Sequence, residues 1–220
     1  MTDNAKTALA ALRDSDHPLG RPLALCLMFE PANDQCLAAS IFDLAIALDS
    51  ALHIPSESLL AAIRVQWWVD AMSGSGAQTA PLVTQMRAQF QTHDGLQSEI
   101  IDLIGHWQTA CHDENRDNID GWGVVWALVA KHMGQASQSA RVTDIGHQLH
   151  HAIHSHESHA AVPLDRPQIG AFRRSDAGRK RSFLYLAACL TRYLQRPNAD
   201  ANHPALVWWM LAWQLFGPPK

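Results

Sequence analysis

The chain has 220 residues, 47% of them hydrophobic and 17% charged. That is enough for one sizeable core and too apolar for a disordered segment. A formal net charge of −4 gives no electrostatic support for general nucleic-acid binding. Alanine and leucine outweigh β-branched residues, so a single all-α domain over 1–220 is expected.

Met1 to Asp16 places Asp3, Lys6, Arg13 and Asp14 among alanines, which reads as a short amphipathic helix rather than a signal sequence. Pro31 and Asn33 precede a helical pattern over about 35–53, with Ile41, Leu44, Ala45, Leu48 and Leu52 on one stripe. Pro55 ends that run, and Ser56 with Glu57 reads as the cap of a helix over about 57–72. The buried face of that helix is expected to hold Leu60, Ile63, Trp67 and Ala71. Ser73-Gly74-Ser75-Gly76 breaks the chain.

Further helices are expected over about 81–91, 95–115, 124–133, 137–158, 176–195 and 205–216, with Gly121, Gly123 and Gly134 bracketing the third of these. Pro163 and Pro167 mark a loop, and Arg196-Pro197-Asn198 is a break. Short loops imply an antiparallel helical array.

No segment is read as the ~20 apolar residues that span a bilayer. The nearest approach is 205–216, uncharged and carrying Trp208, Trp209 and Trp213. It reads as a core helix; the alternative is a helix lying against a membrane surface or a protein. It has no basic face, which counts against the membrane reading. Arg173, Arg174, Arg179, Lys180 and Arg181 form a basic cluster, read as a solvated helix start or, alternatively, an anion or partner site. The charged run Asp113, Glu114, Arg116, Asp117 and Asp120 reads as a solvated helix end and loop. Cys26, Cys36, Cys111 and Cys189 are scattered without a CxxC, as expected of buried small residues in a reducing, cytoplasmic setting.

One stretch is distinctive: Ile63-Arg64-Val65-Gln66-Trp67-Trp68-Val69-Asp70-Ala71-Met72. Its Arg-x-Gln-Trp-Trp-x-Asp pattern resembles the squalene/phytoene synthase family. Other segments agree in order: Arg21-Pro22-Leu23-Ala24-Leu25, Ile41-Phe42, Trp122 to Gly134, Gly146 to His159 with Gln148-Leu149, and Val162-Pro163-Leu164. The likeness covers most of the chain and is weakest toward its end. It implies an isoprenoid (terpenoid) synthase-like helical bundle around a central cavity, in which prenyl diphosphates are joined with magnesium holding the leaving group.

The magnesium sites of that family are Asp-x-x-x-Asp pairs, whose i, i+4 spacing puts both carboxylates on one helical face. Here the first motif falls near Ala47, Leu48 and Ala51, and the nearby acids Asp43 and Asp49 are six positions apart. The second becomes Gln148-Leu149-His150-His151-Ala152-Ile153-His154-Ser155, with His159 at the next aspartate position. Catalysis is therefore expected to be lost, which makes the chain a pseudoenzyme, and no cofactor is expected. A mitochondrial assembly factor for respiratory complex I resembles the same family and has a similar Arg-x-Gln-aromatic-Trp segment. By that resemblance the chain would be a binding or assembly protein for a membrane respiratory complex.

Arg64, Gln66, Trp68, Asp70, Gln148, His151 and Ser155 are the candidate cavity or partner-binding residues. Arg64 reads alternatively as a structural ion-pairing or stacking residue. His147, His150, His151 and His154 share one helical face. They read as histidines filling a polar face, the alternative being a metal held by His147, His151 and His154. The alternative function is an active prenyl-diphosphate transferase with atypical ligands drawn from Asp43, Asp49, Asp144 and the histidines, and only that reading calls for magnesium. An isoprenoid carrier using the emptied cavity is a third. Expected partners are a protein or an isoprenoid ligand, with peripheral contact to the inner face of a membrane through the C-terminal helix.

Overall fold

A computed structural model describes residues 3–74, 80–113, 119–154, 166–173, 176–178, 182–196 and 199–218. Those residues form eleven α-helices and one 3-10 turn, and the all-α expectation holds. The helices are α1 Asp3–Arg13, α2 Gly20–Leu27, α3 Ala32–His53, α4 Ser58–Ser73, α5 Pro81–Phe90, α6 Leu96–Ala110, α7 Ile119–His132, α8 Ser139–His154, α9 Arg166–Ala171, α10 Phe183–Leu194 and α11 Leu206–Phe216.

Helix α3 is the axis of the array, packing against α1, α2, α4, α5, α6 and α7. The expected stripe Ile41, Leu44, Ala45, Leu48 and Leu52 is buried throughout. So are Leu37, Ala38 and Ala51 on its other sides, because neighbours surround the helix. By length and composition α3 is the one helix among the described residues able to cross a membrane, and 78% of that apolar window is buried inside the fold. The sequence reading had placed the nearest approach at 205–216. What distinguishes α3 is that its apolar surface is already occupied by six helices.

Helix α4 departs from expectation. Leu60, Ile63 and Trp67 are 48%, 57% and 37% exposed. The buried positions are Ala61, Val65, Ala71 and Met72, with Trp68 partly covered. The helix starts at Ser58 with Glu57 at the N-cap and no side-chain capping bond, and ends on Gly74, whose φ of 84° only glycine adopts without strain.

Of the glycines expected to bracket α7, Gly134 follows its end with a φ of 71°, and the other two lie differently. Gly121 and Gly123 are inside the helix. A Cβ on Gly123 would collide with Nε2 of His147, and one on Gly146 of α8 with the Trp126 ring. Two glycines thus let α7 and α8 approach closely, which outweighs their low helix propensity. Helix α10 begins at Phe183 rather than near Asp176. Its N-terminus is capped from far away: Glu30 Oε1, in the turn after α2, accepts from the backbone N–H of Ser182 (2.5 Å) and Phe183 (2.7 Å). Gln35 fixes that turn by donating to the carbonyls of Met28 (3.1 Å) and Glu30 (2.8 Å). A carboxylate at a helix N-terminus is favoured by the orphan N–H groups and by the dipole.

One contiguous apolar cluster runs from Ala5 to Trp213. Its aromatic centre joins α3, α7 and α10: Phe42 meets Trp126 at 5.1 Å and Phe183 at 5.6 Å, and Trp126 stacks on Phe183 at 5.3 Å. All four cysteines are buried and reduced.

Candidate functional site

Asp49 sits on α3 at 6% exposure, where an unpaired carboxylate would be costly. Each of its oxygens has an indole donor. Trp107 of α6 donates to Oδ1 (2.8 Å) and Trp122 of α7 to Oδ2 (2.9 Å). His17, in the turn between α1 and α2, places Nε2 3.8 Å from Oδ2. Its Nδ1 accepts from the Leu19 N–H (3.2 Å), which leaves the proton of the neutral ring on Nε2, facing Asp49. His17 stacks on the Trp122 ring at 5.7 Å, and His150 of α8 packs against that ring at 5.8 Å. Burial alone would push the Asp49 carboxyl up. The interactions with His17, Trp107, Trp122 and the His150 charge outweigh it and hold the group below the usual carboxylate range. Asp49 is thus an ionised anchor tying four elements to α3.

The other acids considered as ligands are placed differently. Asp43 is half-buried and its carboxyl is pushed up by that burial. Asp144 is exposed on α8. Leu48 and Ala51, in the position of the family's first motif, are core residues.

On α8, His147 and His150 turn toward α7. His147 packs on Gly123, and His150 is buried beside Trp122. Gln148 accepts from Gln195, the residue that follows α10 (3.2 Å). His151 and His154 belong to the helix, but their side chains, like Ser155 altogether, lie outside the described residues. Among the described residues no three His, Cys, Asp or Glu side chains converge as a metal site. Of the basic cluster, Arg173 packs over the Tyr185 ring (4.3 Å) and donates to its hydroxyl (2.8 Å); Arg174, Arg179, Lys180 and Arg181 lie outside the described residues.

The four candidates on α4 line two adjoining surface grooves. Gln66 and Asp70 face a groove of about 540 Å³ shared with Ile63, Trp67, Gln108 and His112. Arg64 and Trp68 face one of about 320 Å³ shared with Ala47, Ser50 and Ile54. Trp67 lines both and meets Trp68 edge-on at 4.8 Å. The larger groove has a polar ladder: Gln108 donates to Gln66 Oε1 (2.8 Å), and Gln66 donates to Asp70 Oδ1 (2.9 Å). With Ile54, Leu59, Leu60 and Ile63 also exposed, the arrangement is an apolar ridge between grooves with oriented amides on one side, which suits binding. Sequence reasoning missed this ridge because it assigned Leu60, Ile63 and Trp67 to the core.

Comparison of the chain with protein-family models, with curated proteins and with solved structures finds no match. The fold and site define an all-α protein with a buried carboxylate anchor and an exposed aromatic ridge.

Proposed function

We propose that this chain is a binding or assembly protein on a squalene/phytoene synthase-like scaffold, without prenyl-transfer chemistry, and that the outer face of α4 receives a protein partner. The observation that carries the reading is the exposed ridge Leu60, Ile63 and Trp67 between grooves of about 540 and 320 Å³. An exposed tryptophan flanked by concave surface fits the anchor of a protein interface. Asp49 is 6% exposed and lines neither groove, its oxygens turned to two buried indoles, which supports the loss of catalysis. The resemblance to the complex I assembly factor branch suggests a membrane-bound respiratory complex as the setting.

The test is a photo-crosslinking residue at position 63, identification of the captured protein, and titration of that purified protein with wild type and Trp67→Ala. Trp67 is 37% exposed and meets Trp68, so circular dichroism first checks that Trp67→Ala is folded, and its affinity should then fall about thirtyfold, ~2 kcal/mol for a central anchor. A specific partner whose affinity ignores Trp67→Ala removes the α4 assignment. Metal-dependent diphosphate release from farnesyl diphosphate by the folded protein would restore the transferase reading.

A further inference from the structure

The outer face of α4 carries two opposite charges set evenly about one aromatic ring. Arg64 and Asp70 stand three residues before and three after Trp67. On a helix this puts each about 60° round from Trp67, on opposite flanks, and about 4.5 Å to either side of it along the axis. The grooves repeat this order: Arg64 lines the smaller, Asp70 the larger and Trp67 both. Arg64 is exposed and makes no hydrogen bond or ion pair among the described residues. Asp70 is exposed too, and its carboxylate is oriented by Gln66, which donates to Oδ1 (2.9 Å) while accepting from Gln108 (2.8 Å). Leu60 and Ile63, at 48% and 57% exposure, continue the apolar ridge toward the start of the helix.

Such a patch is complementary to itself. Consider a twofold axis that passes through Trp67, lies in the contact plane and runs at right angles to the line from Arg64 to Asp70. It exchanges the two ends of that line. Arg64 then meets the partner's Asp70, Asp70 meets the partner's Arg64, and the two Trp67 rings meet on the axis. An axis turned by 90° would set Arg64 against the partner's Arg64, so the charges also fix the orientation of the pair. An isologous contact makes each favourable pairing twice, and closed twofold dimers are the commonest assemblies. An aromatic centre with a charged rim is the usual anatomy of a protein interface.

We infer that two copies of this chain associate through α4 about a twofold axis at Trp67, with Arg64 and Asp70 paired reciprocally. The inference rests on the reading of α4 as a protein-docking face and names its occupant as a second copy of this chain.

The purified full chain would be followed by analytical ultracentrifugation from about 1 to about 100 µM. A monomer–dimer equilibrium is expected. Arg64→Asp and Asp70→Arg each bring like charges together at both symmetric contacts, and each should weaken association at least about tenfold with unchanged circular dichroism. The variant carrying both substitutions restores opposite charges and should return association to within about threefold of wild type. Trp208→Ser, on the exposed side of α11, should leave the dimer intact. A wild type that remains monomeric at about 100 µM overturns this inference alone, since the α4 reading still stands if the crosslinker at position 63 captures a different protein. A dimer indifferent to both single substitutions overturns it too, as does one that the folded double variant fails to restore or that Trp208→Ser dissolves.

Discussion

Replacing Asp49 with asparagine removes one charge and one acceptor at the centre of the fold while keeping the side-chain shape. The amide retains one oxygen for one indole and presents an NH2 group to the other. One buried N–H of Trp107 or Trp122 then loses its acceptor, which costs about 1–3 kcal/mol, and the surviving bond loses its charge assistance, about 1 kcal/mol more. Relief of the buried charge works the other way. The depressed Asp49 carboxyl shows that its surroundings favour the ionised form over water, so this relief does not win. A net loss of about 3 kcal/mol is expected, a large share of the ~5–15 kcal/mol that domains possess. Urea unfolding followed by circular dichroism gives the number directly. Because the folded carboxyl titrates below its unfolded value, its contribution is fully present above about pH 4 and is lost as pH falls through the folded value. Wild type should therefore destabilise in acid more steeply than Asp49→Asn. A variant within about 0.5 kcal/mol of wild type, with the same acid slope, would refute the anchoring argument.

Two further outcomes follow from close packing. Gly123→Ala and Gly146→Ala should each destabilise by about 2 kcal/mol in the same assay, since the added methyl meets His147 or Trp126; Gly105→Ala in α6, where a Cβ meets nothing within 4 Å, should stabilise by about 0.5–1 kcal/mol. Burial pushes the Cys189 thiol up to about 12 and raises Cys26 and Cys36 as well, so a thiol-specific chromogenic reagent should leave the native protein unlabelled and react with all four cysteines once urea unfolds it.

The helical class was legible because the apolar spacing of α3 and the punctuation by proline and glycine agree. The buried side of α4 was not. Its sequence offers two apolar stripes one position apart, Leu60, Ile63, Trp67 and Ala71 against Ala61, Val65, Trp68 and Met72, and periodicity weighs them equally. The fold buries Ala61, Val65 and Met72 of the second, with Trp68 partly covered, and only Ala71 of the first, seating the smaller alanine and valine where α3 and α6 come close. Gly123 read as punctuation because its role depends on His147, a residue on the next helix. Asp49 read as a misplaced ligand; the indoles that claim it are 58 and 73 positions away, and local spacing carries no trace of that pairing. Helices α2 and α9 are short, at 8 and 6 residues, and owe their form to packing more than to propensity.

The Glu30 cap ties the order of synthesis to the order of folding. The carboxylate and the two N–H groups it serves are 152 and 153 positions apart, so the N-terminal segment leaves the ribosome long before α10 exists. Until then Glu30 is without those two donors, and sealing it into the core is less favourable. Burial of the turn between α2 and α3 is thus coupled to the arrival of α10, which brings two donors to its carboxylate.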